Sequence, residues 1–146
     1  MKPSQHLAGS TVAAGALYAA TGSPTAAASC LLSGVFIDLD HLVDFFLLAG
    51  ERFSPRAFSE WCRRSAQAKF LLLLHSYELF ALLVGWASLG ADPVVWGAAA
   101  GVGVHLVMDQ VGNRGIVPGF RLSGGFYFLV WRLLVGFRRE RLLRPA

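Results

Sequence analysis

Nine residues of this chain carry most of its possible chemistry. They are four histidines, His6, His41, His75 and His105, and five of the nine acidic residues, Asp38, Asp40, Asp44, Glu78 and Asp109. All nine fall inside apolar blocks, one histidine per block. A charge at the middle of a bilayer costs roughly 2.5–3.5 kcal/mol even on a lenient scale, so such a set needs a shared cation, shared protons or a water-filled cavity. Imidazole with carboxylate is the donor set of zinc, iron or manganese. The spacing supports convergence. His105 and Asp109 are four residues apart and His75 and Glu78 three apart, so each pair shares a helix face. Asp38 with His41, and Asp40 with Asp44, cover an arc broad enough for two adjacent metal positions. A lone histidine in an apolar helix is more often a hydrogen-bonded packing residue; four together reverse that reading.

Within the set, His41, His105, Asp109 and Asp40 rank first as metal ligands, followed by Asp38, His75 and His6. Glu78 has three open roles: ligand, hydrogen-bond partner behind a ligand, or general base. Asp44 reads as structural, paired with a loop arginine.

The elements that must position these groups are long apolar blocks. The composition is 55% hydrophobic and 15% charged, too little charge to coat a water-soluble domain of 146 residues. Four blocks approach the roughly 20 residues needed to cross the hydrocarbon core: residues 6–22, 25–49, 69–89 and 93–111. The fold class this predicts is all-α, a polytopic four-helix transmembrane bundle in a single domain, with short interfacial helices near 52–66 and 125–138. In the latter, Tyr127 and Trp131 are expected at headgroup depth. Gly97 and Gly101 continue the His105 face at steps of four, which lets a neighbouring helix approach closely.

All thirteen basic residues lie at the N-terminus, between the second and third blocks, or after the fourth. Basic loops mark the cytoplasmic side, so both termini and the middle loop are expected inside. On that orientation all nine polar groups occupy the cytoplasmic half of the bundle. The basic residues read as contacts to anionic lipid headgroups; nucleic-acid binding is disfavoured, because no aromatic platform accompanies a basic groove. Cys30 and Cys62 lack metal-type spacing and read as bystanders. A secretory signal at the start is disfavoured, since cleavage near Cys30 would discard His6.

An early His6, Asp38-Leu39-Asp40-His41, His75-Ser76 and His105-Leu106-Val107-Met108-Asp109 resemble the motifs of the bacterial membrane-bound metal-dependent hydrolase family. That family includes a LexA-regulated inner-membrane putative hydrolase and is distantly similar to zinc-dependent phospholipase C. The quoted motifs extend over the first three-quarters of the chain. Two stretches depart from the pattern. Phe70 to Leu74 stands where such proteins carry His-Arg-Gly and a threonine, and Val111-Gly112-Asn113-Arg114-Gly115 where they often carry Thr-Pro-x-Gly. The resemblance implies a multi-pass protein of the bacterial inner membrane with a hydrolytic metal site.

Residues and resemblance together lead to the expectation of metal-assisted hydrolysis of a lipid phosphoester at the cytoplasmic leaflet. One or two divalent ions, zinc first, would activate water, and Arg114 or Arg121 would hold a phosphate headgroup. Two rivals stay open. Ion or proton transport would need polar residues in both leaflets, and the outer half is nearly bare of them. A non-catalytic metal or pH sensor is the other.

Overall fold

The computed structural model describes residues 3–64, 67–90, 92–113, 117 and 119–145. Its helices are α1 (Pro3–Thr21), α2 (Pro24–Phe36), α3 (Leu39–Leu48), α4 (Pro55–Arg64), α5 (Tyr77–Gly90), α6 (Pro93–Gly112), α7 (Leu129–Leu134) and α8 (Arg139–Leu142). Two short strands, β1 (Phe120–Leu122) and β2 (Leu143–Pro145), pair antiparallel, Arg121 opposite Arg144. The chain is thus mostly helical, as expected.

The helix starts follow local chemistry. Ser23 Oγ accepts the Ala26 N–H at 3.2 Å, with Pro24 in the first turn of α2. Asp92 Oδ1 accepts the Val94 N–H at 2.8 Å, with Pro93 in the first turn of α6. Each pairs a capping oxygen with a proline whose missing N–H needs no partner there.

α6 is the hub and packs against α1, α2 and α5. Its contact with α2 is made through small residues. A side chain at Gly97 would meet the Ala26 carbonyl, and one at Gly101 would meet the Cys30 carbonyl and Ser33 Oγ. The two backbones therefore touch, as the four-residue glycine spacing predicts. Ser29 Oγ donates to the Val94 carbonyl at 2.7 Å and Ser33 Oγ to the Ala98 carbonyl at 3.2 Å, which ties the same two helices by hydrogen bonds. The large apolar side chains gather elsewhere: Phe70, Leu72, Leu106, Phe126 and Leu142 form a core where the C-terminal segment meets α6 and the loop before α5.

Four expectations need correction. The expected bundle of four spans is not borne out: among the described residues only α6 is long and apolar enough to cross a membrane, by length and composition alone. The 25–49 block is split, because the chain tightens into three-residue bonds (Asp40 N–H to Ile37 carbonyl, His41 N–H to Asp38 carbonyl), ending α2 and starting α3. The 69–89 block becomes helical only at Tyr77, and the 14-residue α5 spans about 21 Å against a hydrocarbon core of about 30 Å. Its first eight residues form a loop whose N–H groups are taken by Asp44, Asp40 and the C-terminal segment. The 125–138 stretch is not a surface helix: it contains only the six residues of α7, Tyr127 is buried, and Arg132 has no exposed surface. The middle loop does carry the expected short helix, α4.

Candidate metal centre

Three separate elements and a loop bring six of the expected groups together. His6 comes from the first turn of α1, Asp38 and His41 from the N-cap and first turn of α3, His75 from the loop before α5, and His105 and Asp109 from one face of α6. His6, His75, His105 and Asp109 are buried; the side chains of Asp38 and His41 are 28% and 34% exposed, toward a cavity.

The protonation pattern of two imidazoles follows from their partners. His105 Nδ1 lies 2.8 Å from the Gly34 carbonyl, an acceptor only, so Nδ1 carries the proton. The close α2–α6 crossing is what places that carbonyl within reach. His75 Nδ1 lies 3.2 Å from Asp40 Oδ2 and donates to it. The two remaining nitrogens, His75 Nε2 and His105 Nε2, face each other at 3.2 Å, hydrogen-bond distance. Two neutral rings so placed would oppose their lone pairs, a repulsion that a shared proton or a metal ion between them would relieve. Asp38 Oδ1 lies 3.4 Å from His75 Nε2 and 3.5 Å from His105 Nε2, and Asp109 Oδ2 lies 3.7 Å from each. A tetrahedron of bonds near 2.0–2.1 Å has edges of about 3.3–3.4 Å, so these separations suit donors around a zinc-sized ion.

Two histidines flank this set. His6 Nε2 is 3.1 Å from the second Asp109 oxygen, with its ring stacked on His105 at 4.0 Å. His41 Nε2 is 3.7 Å from Asp38 Oδ1. The donors also divide into two groups of three, His6 with His105 and Asp109, and Asp38 with His41 and His75, each able to hold an ion. Asp109 presents one oxygen to His6 and the other to the His75–His105 pair, the arrangement of a bridging carboxylate.

The structure places three other expected site residues differently. Asp40 stands behind His75 rather than beside it: its Oδ2 accepts the Leu74 N–H at 2.6 Å, the His75 N–H at 3.2 Å and the His75 ring. In that position it would orient His75 toward a metal ion. Glu78 is not brought to the cluster. Its two oxygens accept the Leu129 and Val130 N–H groups at 2.9 and 3.0 Å, closing the start of α7, because α5 begins too late to turn Glu78 toward His75. Arg121 is exposed on β1 and does not line the cavity, and Arg114 lies outside the described residues. Asp44 is structural, as expected, but its partners are the Leu71 and Leu72 N–H groups at 2.9 and 3.2 Å, not an arginine side chain.

A cavity of about 910 Å³ opens onto the cluster. His6, Asp38, His41, His75 and Asp109 are among its lining, Phe58, Phe70 and Phe126 contribute apolar wall, and Arg63, exposed to solvent, stands at its rim. Cys62 also lines it; burial, then Asp38 and Asp44, pushes its thiol up to about 11, so it stays a neutral S–H near pH 7. Sequence reasoning missed Arg63 as the cavity's arginine. The signal was there: in amphipathic α4, Phe58 with Cys62 and Ser59 with Arg63 form two adjacent rows at steps of four, and all four line the cavity.

No protein-family model, curated protein or solved structure matches the chain.

Proposed function

We propose that this protein is a membrane-embedded, metal-dependent hydrolase acting on a lipid phosphoester at the cytoplasmic leaflet. The observation that carries the reading is the pair of Nε2 atoms, each ring oriented by an acceptor behind it, converging with two carboxylates beside a large, mostly apolar cavity. One or two divalent ions, with zinc the best match to the donors, would supply an activated water near neutral pH. With two ions, each group of three donors leaves a position free for that water. The aromatic wall suits an acyl chain and the rim arginine Arg63 an anionic head. The resemblance of the His and Asp motifs to the membrane-bound hydrolases points the same way.

The membrane part of the reading rests on the outer surface. Leu32, Phe36, Phe46, Leu82, Trp86 and Leu134, from four different helices, are each more than half exposed. A water-soluble monomer rarely leaves so much apolar side chain uncovered. The basic residues collect in the segments expected inside, where anionic headgroups lie.

The test is turnover by the full chain. It should stay in carbonate-washed membranes and, once purified in detergent and loaded with zinc, release phosphate or a phosphorylated headgroup from a phospholipid panel. Asp38→Asn should abolish that release. Full metal occupancy without cleavage of any lipid or soluble phosphoester would turn the reading to a metal sensor.

A further inference from the structure

Arg132 is the only fully buried arginine among the described residues. Its Nη1 donates to the Leu72 carbonyl at 2.7 Å and its Nη2 to the His75 carbonyl at 2.9 Å. Burial lowers its pKa from the usual range, and Asp40, Glu78 and Asp44 offset that from a distance. The N–H groups of the same loop are taken by Asp44, at Leu71 and Leu72, and by Asp40, at Leu74 and His75. Leu72 lies between the two sets of bonds in the left-handed region, φ 43°, a conformation that a branched side chain adopts only when its surroundings impose it.

The contact runs in both directions. Arg132 of α7 holds the carbonyls of the loop before α5, while Glu78 of α5 closes the N-terminus of α7, where Phe128 offers no side-chain cap. The Tyr77 N–H to the Tyr127 carbonyl at 2.9 Å, and the Phe70 N–H to the Phe137 carbonyl at 3.0 Å, join the two segments at either end of the loop.

We propose that Arg132 and Glu78 are positioning residues, a reciprocal clamp through which the C-terminal segment holds the His75 imidazole at the metal centre. The inference rests on the metal reading above and adds the C-terminal segment to the machinery of the site. Arg132 reaches two carbonyls at once because its guanidinium is a rigid fork; a lysine ammonium at the same place serves as a single point charge. The loop then relaxes at Leu72, and the His75 ring loses its fixed angle to His105 and Asp38.

The experiment measures cobalt(II) binding by the full chain in detergent, by chelator competition and by visible absorption, for wild type, Arg132→Lys, His75→Ala and the double variant. Arg132→Lys should bind cobalt at least ~10-fold more weakly, within the range for residues that orient a ligand. It should also alter the visible bands, which report ligand geometry. In the His75→Ala background, Arg132→Lys should lower the affinity no further, because the two act through one imidazole. An equal loss in both backgrounds would mean general loosening and overturn the clamp. So would wild-type affinity and bands in Arg132→Lys. If Arg132→Lys does not fold, Glu78→Gln, altered at the other end of the clamp, enters the same cycle with the same criteria. Wild type that binds no cobalt would overturn the metal reading, and the clamp with it, a result distinct from either of the others.

Discussion

At the residue scale, the difference between a ligand and the residue behind it is decided by one turn of backbone. Asp38 and Asp40 are two apart in Asp-Leu-Asp-His, and the sequence offers both as ligands. The tightened turn at Ile37–Asp38 sends Asp38 toward His75 and His105, while Asp40, in the first turn of α3, meets the N–H groups of the next loop. Glu78 shows the same limit. Its spacing from His75 suggests a shared helix face, but His75 lies outside the helix, so the three-residue rule does not apply to the pair. The account therefore expects Glu78→Gln, at saturating metal, to cost far less in rate than the ~10²–10⁴ that losing a general base would. The same change should lower stability by about 1 kcal/mol through the lost cap on α7. Steady-state rates and thermal midpoints on the same preparations check this. A thousandfold fall in rate with unchanged metal content would return Glu78 to the catalytic step.

At the scale of elements, the glycine spacing on α6 was legible because its cause is local and periodic. Gly97 and Gly101 lie one turn apart on the His105 face, and that face meets the α2 backbone. The consequence reaches the site, since only a close crossing lets the Gly34 carbonyl accept from His105 Nδ1 and turn Nε2 toward His75. Gly101→Val should force α2 away, destabilise the fold by about 1–3 kcal/mol, and weaken metal binding by removing the acceptor behind His105. Gly15→Ala is the control, because nothing lies within 4 Å of a side chain built there. Chelator competition on both variants measures the effect; a Gly101→Val protein with wild-type affinity would separate the helix crossing from the site. The loop at residues 69–76 was not legible. Phe70 to Leu74 has the composition of a membrane helix, and what prevents one is long-range: the carboxylates of α3 on one side and Arg132 on the other. An apolar run contains no sign of partners some 30 and 60 residues away.

At the scale of the whole molecule, the sequence placed the histidines in separate blocks and expected them at one depth. His6, His41, His75 and His105 do meet, although they arrive from three helices and a loop instead of four continuous spans. The meeting was legible from the His and Asp spacing within each block, while the four spans from which it was argued were not borne out. The C-terminal segment was the largest misreading. Its Tyr, Trp and Arg look interfacial, yet Tyr127 and Arg132 turn inward while Trp131, Leu133 and Leu134 stay exposed, an arrangement fixed by the loop it packs against. The central claim is that the converging imidazoles and carboxylates hold a metal. The most direct measurement is elemental analysis of the detergent-purified full chain, wild type beside His105→Ala. The account predicts at least one equivalent of a divalent transition metal, zinc foremost, in wild type, and loss of most of it in His105→Ala. Wild-type protein holding under about a tenth of an equivalent after mild handling would contradict the account and leave the cluster as a buried proton and hydrogen-bond network.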